Sequence, residues 1–133
     1  SATIPGLPVP VRGVIDLVQH DLTAIDYKSA AAKPDAGHAA FDHELQLVTY
    51  QMMIEEATRD TPPSLDLIYL VKTKIPHVIR VKTPPADDQR KQRVAGLYKI
   101  AYECITTERF YPQPGMQCSW CQYRKECFGW CKQ

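Results

Sequence analysis

The stretch that decides the fold is Gly13–Ala30, with the sequence GVIDLVQHDLTAIDYKSA. It predicts two short strands joined by a polar turn, with Asp16 on the first strand and Asp26-Tyr27-Lys28 on the second. Because successive side chains of a strand point to opposite faces, Asp26 and Lys28 share one face while Tyr27 lies on the other. A carboxylate and an amine in otherwise apolar strands cost free energy unless they are paired or used. This pair is therefore the first candidate for a functional site.

The composition is that of an ordinary globular domain. The chain has 133 residues, of which 44% are hydrophobic and 23% charged, and its formal net charge is +1. This length supports one domain with one core. No apolar run approaches the roughly 20 residues of a membrane span and no signal-peptide pattern is present, so we expect the protein to be cytoplasmic. The net charge neither indicates nor excludes a nucleic-acid partner.

The register of the predicted hairpin determines whether Asp16 joins the site. We expect strands over residues 11–18 and 22–29. Pairing the end of the first strand with the start of the second places Asp16 opposite Ala24 and diagonal to Asp26. Diagonal neighbours on one face are about 7–8 Å apart, which is close enough for two carboxylates to share a metal ion. A slip of one residue would send Asp16 to the other face.

The rest of the chain predicts a sheet with helices against it. We expect an extended lead-in over residues 1–10, a loop over 30–41, a helix over 42–59, strands over 65–73 and 77–82 and a helix over 84–108. The fold class is α/β (α+β), with a mixed central sheet of about four strands flanked by helices. Residues 11–110 would form the core domain and residues 111–133 a cysteine-rich tail.

Two carboxylates beside a lysine suit a particular chemistry. Hard oxygen ligands bind Mg²⁺, which uses one or two carboxylates, keeps several waters and takes phosphate oxygens as further ligands. The backbone carbonyl of Tyr27 is another candidate ligand, and Lys28 could position an attacking water or neutralise charge that develops on phosphate oxygens. The alternative is a salt bridge between Asp26 and Lys28, which is the commoner explanation of an arbitrary D-x-K sequence.

Three motifs in order resemble those of RecB-like nucleases of the PD-(D/E)XK superfamily: Gly13-Val14-Ile15-Asp16, Asp26-Tyr27-Lys28 and Gln46-Leu47-Val48-Thr49-Tyr50. The resemblance covers residues 11 to about 127 and implies a restriction-endonuclease-like core. It implies that Asp16 and Asp26 bind a catalytic Mg²⁺ or Mn²⁺, that Lys28 serves the attacking water, and that Gln46 and Tyr50 border the active site. The alternative for the last two is a helix pair that only packs on the sheet.

Four of the five cysteines fall within fourteen residues at the C-terminus: Cys118, Cys121, Cys127 and Cys131. Their spacing indicates metal binding rather than a disulfide framework. C-x₂-C-x₅-C resembles the end of AddB-type and CRISPR-associated nucleases, where an upstream cysteine completes an iron–sulfur site. Here no cysteine precedes Cys104. Cys131 could complete a set for a [4Fe–4S] cluster or Zn²⁺, the fourth ligand could lie in a missing N-terminal part, or the thiols could be free.

These observations predict a metal-dependent deoxyribonuclease, an exonuclease that hydrolyses phosphodiester bonds in DNA repair, recombination or defence. The alternative is a catalytically inactive DNA-binding or protein-interaction module with a structural metal or cluster site. The expected partner is DNA, together with a helicase or another subunit of a nuclease complex. The opening Ser1-Ala2 also predicts that an N-terminal part of the natural chain is missing, and this part would be a further partner. No residue of the sequence fills the upstream acidic or histidine position of the resembling families.

Overall fold

The computed structural model describes residues 1–129 of the chain. The chain divides into two compact units, residues 1–99 and the residues from 100 onward. The helices and strands are β1 Leu17–Val18, β2 Ala24–Ala30, α1 Ala36–Asp42, α2 Glu44–Thr58, β3 Leu65–Val71, β4 His77–Thr83, α3 Asp88–Thr106 and α4 Arg124–Gly129, with a 3₁₀ turn at Met116–Ser119. In the part of the chain that the structure describes, no helix has both the length and the apolar content needed to cross a membrane. The predicted boundary between core and tail at residue 110 stays a prediction.

Four strands form one mixed sheet in the order β1-β2-β3-β4. β1 and β2 are antiparallel, β2 and β3 are parallel, and β3 and β4 are antiparallel. Parallel strands need a crossover connection, which α1 and α2 provide between β2 and β3. The predicted fold class, a mixed sheet of about four strands flanked by helices, is confirmed.

The hairpin differs from the prediction in both the length of its first strand and its register. β1 comprises only Leu17–Val18, and its residues pair Leu17 with Ile25 and Val18 with Ala24. Residues 19–23 form a five-residue loop, longer than the predicted three-residue turn, and this shifts the pairing by two residues. Continuing the register beyond β1 places Asp16 opposite Asp26 rather than opposite Ala24. Asp16 itself lies outside β1, so the position of its side chain is set by its own hydrogen bond rather than by the ladder.

The N-terminal residues, predicted as an extended lead-in, contribute to the core. Ala2 and Val11 exchange two backbone hydrogen bonds of 2.8 and 2.9 Å in an isolated antiparallel bridge. Ala2 and Ile4 are each only 1% exposed. Apart from this bridge, residues 11–16 belong to no ladder, so the predicted strand over 11–18 is wrong in its first six residues.

Aspartate side chains cap the beginnings of α1 and α3. α1 lies in the segment predicted to be a loop, because Asp35 Oδ1 accepts hydrogen bonds of 2.9 and 3.0 Å from the first two backbone amides that follow Ala36. Such caps satisfy amides that have no partner inside the helix. α3 starts later than residue 84, since Asp87 Oδ1 accepts from the Arg90 amide at 2.8 Å. The prolines before it therefore precede the helix.

Helix α2 lies between the sheet and α3. Leu47, Tyr50 and Ile54 pack on the face of the sheet that carries Leu65 and Leu67. On its other side, α2 contacts a smaller cluster formed by Val48, Ala86 and Val94. A helix that is covered on two sides has a wide apolar surface and a fixed rotation. This rotation turns the side of α2 that carries Gln46 toward β2.

Candidate active site

Asp26 and Lys28 form an ion pair on the face of β2 that packs against α2. Lys28 Nζ lies 2.7 Å from Asp26 Oδ2. The Asp26 residue is 2% exposed, whereas the Lys28 side chain is 24% exposed. A nearly buried carboxylate is found in proteins when it is paired or hydrogen-bonded. The amine therefore offsets the charge of Asp26 and still reaches solvent.

Gln46 connects this ion pair to α2. Its side-chain carbonyl Oε1 accepts a hydrogen bond of 2.8 Å from Lys28 Nζ. Its amide Nε2 donates to Asp26 Oδ1 and to the Tyr50 hydroxyl, each at 2.8 Å. This orientation of the amide satisfies the lysine and the carboxylate at once. Bonds to charged groups contribute more than neutral ones, roughly 1.5–3 kcal/mol each, so Gln46 holds both side chains firmly.

Tyr50 connects the network to the segment before β1. Its hydroxyl donates to the backbone carbonyl of Val14 at 2.9 Å and lies 3.4 Å from Asp26 Oδ1. Burial raises the pKa of Tyr50, and the charges of Asp26 and Asp16 add to this effect against the hydrogen bond from Gln46. The hydroxyl is therefore protonated and acts as a donor at neutral pH.

Asp16 reaches the site through a side-chain hydrogen bond rather than through a sheet ladder. Its Oδ2 accepts from the backbone amide of Tyr27, the residue between Asp26 and Lys28, at 2.9 Å. Gly13 lets this segment approach α2, because a Cβ at this position would lie 3.3 Å from Met53 Sδ. The structure thus brings the predicted site residues of the three motifs together at the middle of β2.

The donor atoms at this face fit a hard divalent cation. Asp26 Oδ2 is buried and, beyond its ion-pair contact with Lys28, receives no hydrogen bond from residues 1–129. A buried oxygen with free lone pairs is a suitable ligand for Mg²⁺ or Mn²⁺. In the same range, His, Cys, Asp and Glu side chains form no group of three or more that could hold a metal. The candidate set therefore consists of Asp16, Asp26 and a backbone carbonyl, that of Tyr27.

Tyr69, which the sequence did not single out, lies beside Lys28, and His43 lies next to Tyr69. Tyr69 of β3 is the register partner of Lys28 across the parallel strands. The ring of His43, which joins α1 to α2, has its centroid 6.4 Å from that of Tyr69. In the sequence, Tyr69 is only one tyrosine in the apolar strand LDLIYLV. The pairing of β2 with β3 is needed to show that it lies next to Lys28.

In the unit from residue 100 onward, three of the predicted cysteines line one cavity. Cys118, Cys121 and Cys127 border a space of about 490 Å³ together with Phe128. The described cysteines form no disulfide bond. Cys131, the fourth predicted ligand, lies outside the described residues. The cavity shows that these thiols share a common space, although they do not form a closed group of metal ligands.

Comparison with known proteins identifies a family for almost the whole chain. The model of the PD-(D/E)XK nuclease superfamily matches residues 2–128, a range that includes the hairpin, α2 and the first three tail cysteines. A search of the curated proteins finds no match. Members of this superfamily are generally nucleases, and they typically use Mg²⁺ or Mn²⁺. The chain belongs to the PD-(D/E)XK nuclease superfamily.

Proposed function

We propose that this protein is a metal-dependent deoxyribonuclease of the RecB-like type that acts as an exonuclease. One observation carries the proposal: a continuous network joins Asp26, Lys28, Gln46 and Tyr50. These residues come from the second and third motifs, which are separated in the sequence, and the first motif supplies Asp16 beside them. A salt bridge that served only stability would not need this convergence of acid, amine and carboxamide.

The residues have distinct functions in this proposal. Asp16, Asp26 and the Tyr27 carbonyl would hold Mg²⁺ or Mn²⁺, whose chemistry is to polarise a phosphate oxygen and acidify bound water. Lys28, fixed by Asp26 and Gln46, presents its amine at the solvent-exposed end of the pair. From there it donates to the attacking water or to the developing negative charge on the phosphate. Its anchoring reduces the reorganisation needed during the reaction.

Tyr50 acts one step further from the substrate. By donating to the Val14 carbonyl, it fixes the segment that carries Asp16. The Asp16 carboxylate and the β2 residues are thereby held in a constant relation, which matters because small displacements of a catalytic group lower the rate.

The activity can be tested with Lys28→Ala and with Lys33→Ala as the matched control. Lys33 is exposed in the segment before α1 and forms no hydrogen bond or ion pair with the network residues. We expect Lys28→Ala to lower Mn²⁺-dependent nucleotide release from end-labelled DNA by at least about 100-fold, since a positioned proton-transfer or charge-stabilising group contributes on this scale. Lys33→Ala should retain wild-type activity, and both variants should still bind DNA.

Each other outcome of this test has a definite meaning. Undiminished cleavage by Lys28→Ala would contradict the mechanism. A wild-type protein that binds DNA but does not cleave it with Mg²⁺ or Mn²⁺ would support the alternative of an inactive DNA-binding module. Linear and covalently closed circular DNA of the same sequence, compared in single- and double-stranded form, separate exonuclease from endonuclease activity. Cleavage of the circles would contradict the exonuclease proposal.

We further propose that Cys118, Cys121 and Cys127 bind a [4Fe–4S] cluster, with Cys131 or a cysteine outside this sequence as the fourth ligand. Their shared cavity and their unbonded thiols support this assignment. Zn²⁺ is the alternative occupant, because four thiolates also suit tetrahedral zinc.

DNA is the proposed partner, with a helicase or another subunit of a nuclease complex. The exposed lysines of the β3–β4 hairpin, Lys72, Lys74 and Lys82, support contacts with phosphates. Arg80 of the same hairpin differs from them because its guanidinium pairs with the buried Asp66. We expect the lysines to contribute to affinity and Arg80 to contribute to folding.

A further inference from the structure

Tyr69 extends the candidate active site toward β3. In the parallel register it stands next to Lys28, on the face of the sheet that α2 covers. Neighbouring strands are about 4.8 Å apart, so the two side chains are direct neighbours. Only 7% of the Tyr69 residue is exposed, which means that its ring is buried and cannot stack on a base. The group that it can offer to a ligand is its hydroxyl.

The Tyr69 hydroxyl is a donor without an acceptor inside the described chain. Residues 1–129 provide no hydrogen bond to it, yet it is not among the buried polar atoms that lack partners. It therefore reaches the accessible side of the site. Burial raises the pKa of Tyr69, and the charges of Asp42 and Asp26 add to this effect while Lys28 opposes it. The hydroxyl consequently keeps its proton.

His43 completes the same feature. It ends α1 and precedes α2, and its side chain makes no capping hydrogen bond to the helix. Its ring is tilted by 50° against that of Tyr69, with a centroid separation of 6.4 Å. Among the described residues, neither of its ring nitrogens has a hydrogen-bond partner. An imidazole carries at least one N–H donor in either protonation state, so a second donor without a partner lies on a ring next to that of Tyr69.

We propose that Tyr69 and His43 are a positioning pair that binds a DNA phosphate adjacent to the scissile phosphate, on the β3 side of Lys28. The proposal rests on the nuclease function proposed above. Two neighbouring donors without protein acceptors match the oxygens of a phosphate diester, and phosphate contacts set the register of a nucleic acid on a protein. Asp42 places a negative charge near Tyr69. This charge repels a bound phosphate and therefore lowers the affinity of the subsite for DNA.

The test uses Tyr69→Phe, which removes the hydroxyl and keeps the buried ring. We expect the KM for a short single-stranded oligonucleotide to rise roughly tenfold, as for one lost hydrogen bond to a charged group. The kcat should stay within about twofold, because the contact is made equally in the ground and transition states. Tyr111→Phe is the matched control, since Tyr111 lies in the unit from residue 100 onward and is 65% exposed. It should leave both constants unchanged.

Asp42→Asn tests whether the negative charge of Asp42 weakens the binding of the phosphate. Removing this charge should lower the KM, whereas Asp60→Asn, which removes an equal charge after α2, should change it less. His43→Ala should raise the KM, and combining it with Tyr69→Phe should cost less than the product of the single effects, because both residues hold one phosphate. All measurements are made at one ionic strength.

The same oligonucleotide, followed by fluorescence anisotropy without divalent metal, reports binding independently of cleavage. A weaker Kd for Tyr69→Phe and a tighter one for Asp42→Asn would support the phosphate subsite even if the wild-type protein does not cleave, a result that would refute only the nuclease function. Unchanged KM and Kd in Tyr69→Phe would overturn the inference. A fall in kcat with an unchanged KM would also overturn it, since that result indicates a function for Tyr69 in holding Lys28.

Discussion

The substitution Asp26→Asn tests the network at its centre. Each carboxylate oxygen of Asp26 faces a donor: Gln46 Nε2 lies 2.8 Å from Oδ1, and Lys28 Nζ lies 2.7 Å from Oδ2. An asparagine has one acceptor oxygen and one NH₂ group. In either orientation of its amide, the NH₂ group therefore points at another donor. The side chain has nearly the same size, so the change tests charge and hydrogen bonding rather than packing.

The expected loss of stability follows from the hydrogen bonds that the asparagine cannot accept. One charge-assisted bond is lost and one donor is left facing another, at a position that is 2% exposed. Bonds to charged groups contribute roughly 1.5–3 kcal/mol, and an unsatisfied buried group costs a similar amount. Solvent at the partly exposed Lys28 offsets part of this loss, so we expect the free energy of unfolding to fall by about 2–4 kcal/mol. Urea denaturation followed by far-UV circular dichroism measures the change.

A second substitution can restore the complementarity. In Asp26→Asn combined with Gln46→Glu, the asparagine amide can donate to a glutamate oxygen, and the Lys28 amine faces two acceptors again. The net charge also returns to that of the wild-type protein. We expect the double variant to recover at least half of the lost stability while its nuclease activity stays absent, because the carboxylate at position 26 is the proposed metal ligand.

Two results would refute this reasoning. If Asp26→Asn unfolds at the wild-type urea concentration, the carboxylate does not accept from Gln46 and Lys28 together. If the double variant is no more stable than the single one, donor and acceptor matching does not explain the loss. Asp60→Asn is the control, since a surface substitution of this kind changes stability by at most about 0.5 kcal/mol.

Two further predictions concern other parts of the chain. Burial raises the pKa of Glu55, but the hydrogen bonds and charge of Lys91 and the bond from Gln51 outweigh it and hold the pKa below its usual 4.5. This stabilisation is present above pH 4.5 and is lost as the pH falls through the lowered pKa. Glu55→Gln should therefore be less stable than the wild-type protein by about 1 kcal/mol at neutral pH and equally stable near pH 3. Urea midpoints at both pH values measure this, and a stability difference that persists in acid would exclude a charge effect. Protein purified without oxygen should contain iron and sulfide and absorb visible light; Cys127→Ser should lose these signals while Cys104→Ser retains them, and zinc without iron would favour the alternative metal.

The sequence predicted the chemistry of the hairpin better than its backbone. Alternation alone places Asp26 and Lys28 on one face, and a spacing of four residues places Gln46 and Tyr50 on one side of a helix. Neither prediction depends on the exact residue at which a strand or helix begins or ends. The pairing of β1 with β2 does depend on where the two strands end, because a loop that is two residues longer than expected shifts every residue pair.

Helix α1 was missed for a related reason. The proline and glycine around it are typical of loops, but Asp35 between them caps a helix that can form because α2 continues it. Short helices have little stability alone, so tertiary context decides whether such a segment is helical. The Tyr69 position was also beyond local patterns, since it depends on the pairing of two strands separated by two helices.

The position of Asp16 shows why a short strand can still support the site. With β1 reduced to two residues, no ladder fixes the backbone at Asp16. Its place depends on two contacts: the Tyr27 amide donates to its carboxylate, and Tyr50 donates to the nearby Val14 carbonyl. Both donors belong to the second and third motifs. The first motif is thus positioned by the other two, and a change in Gln46 or Tyr50 should displace Asp16 even though neither residue forms a hydrogen bond with it.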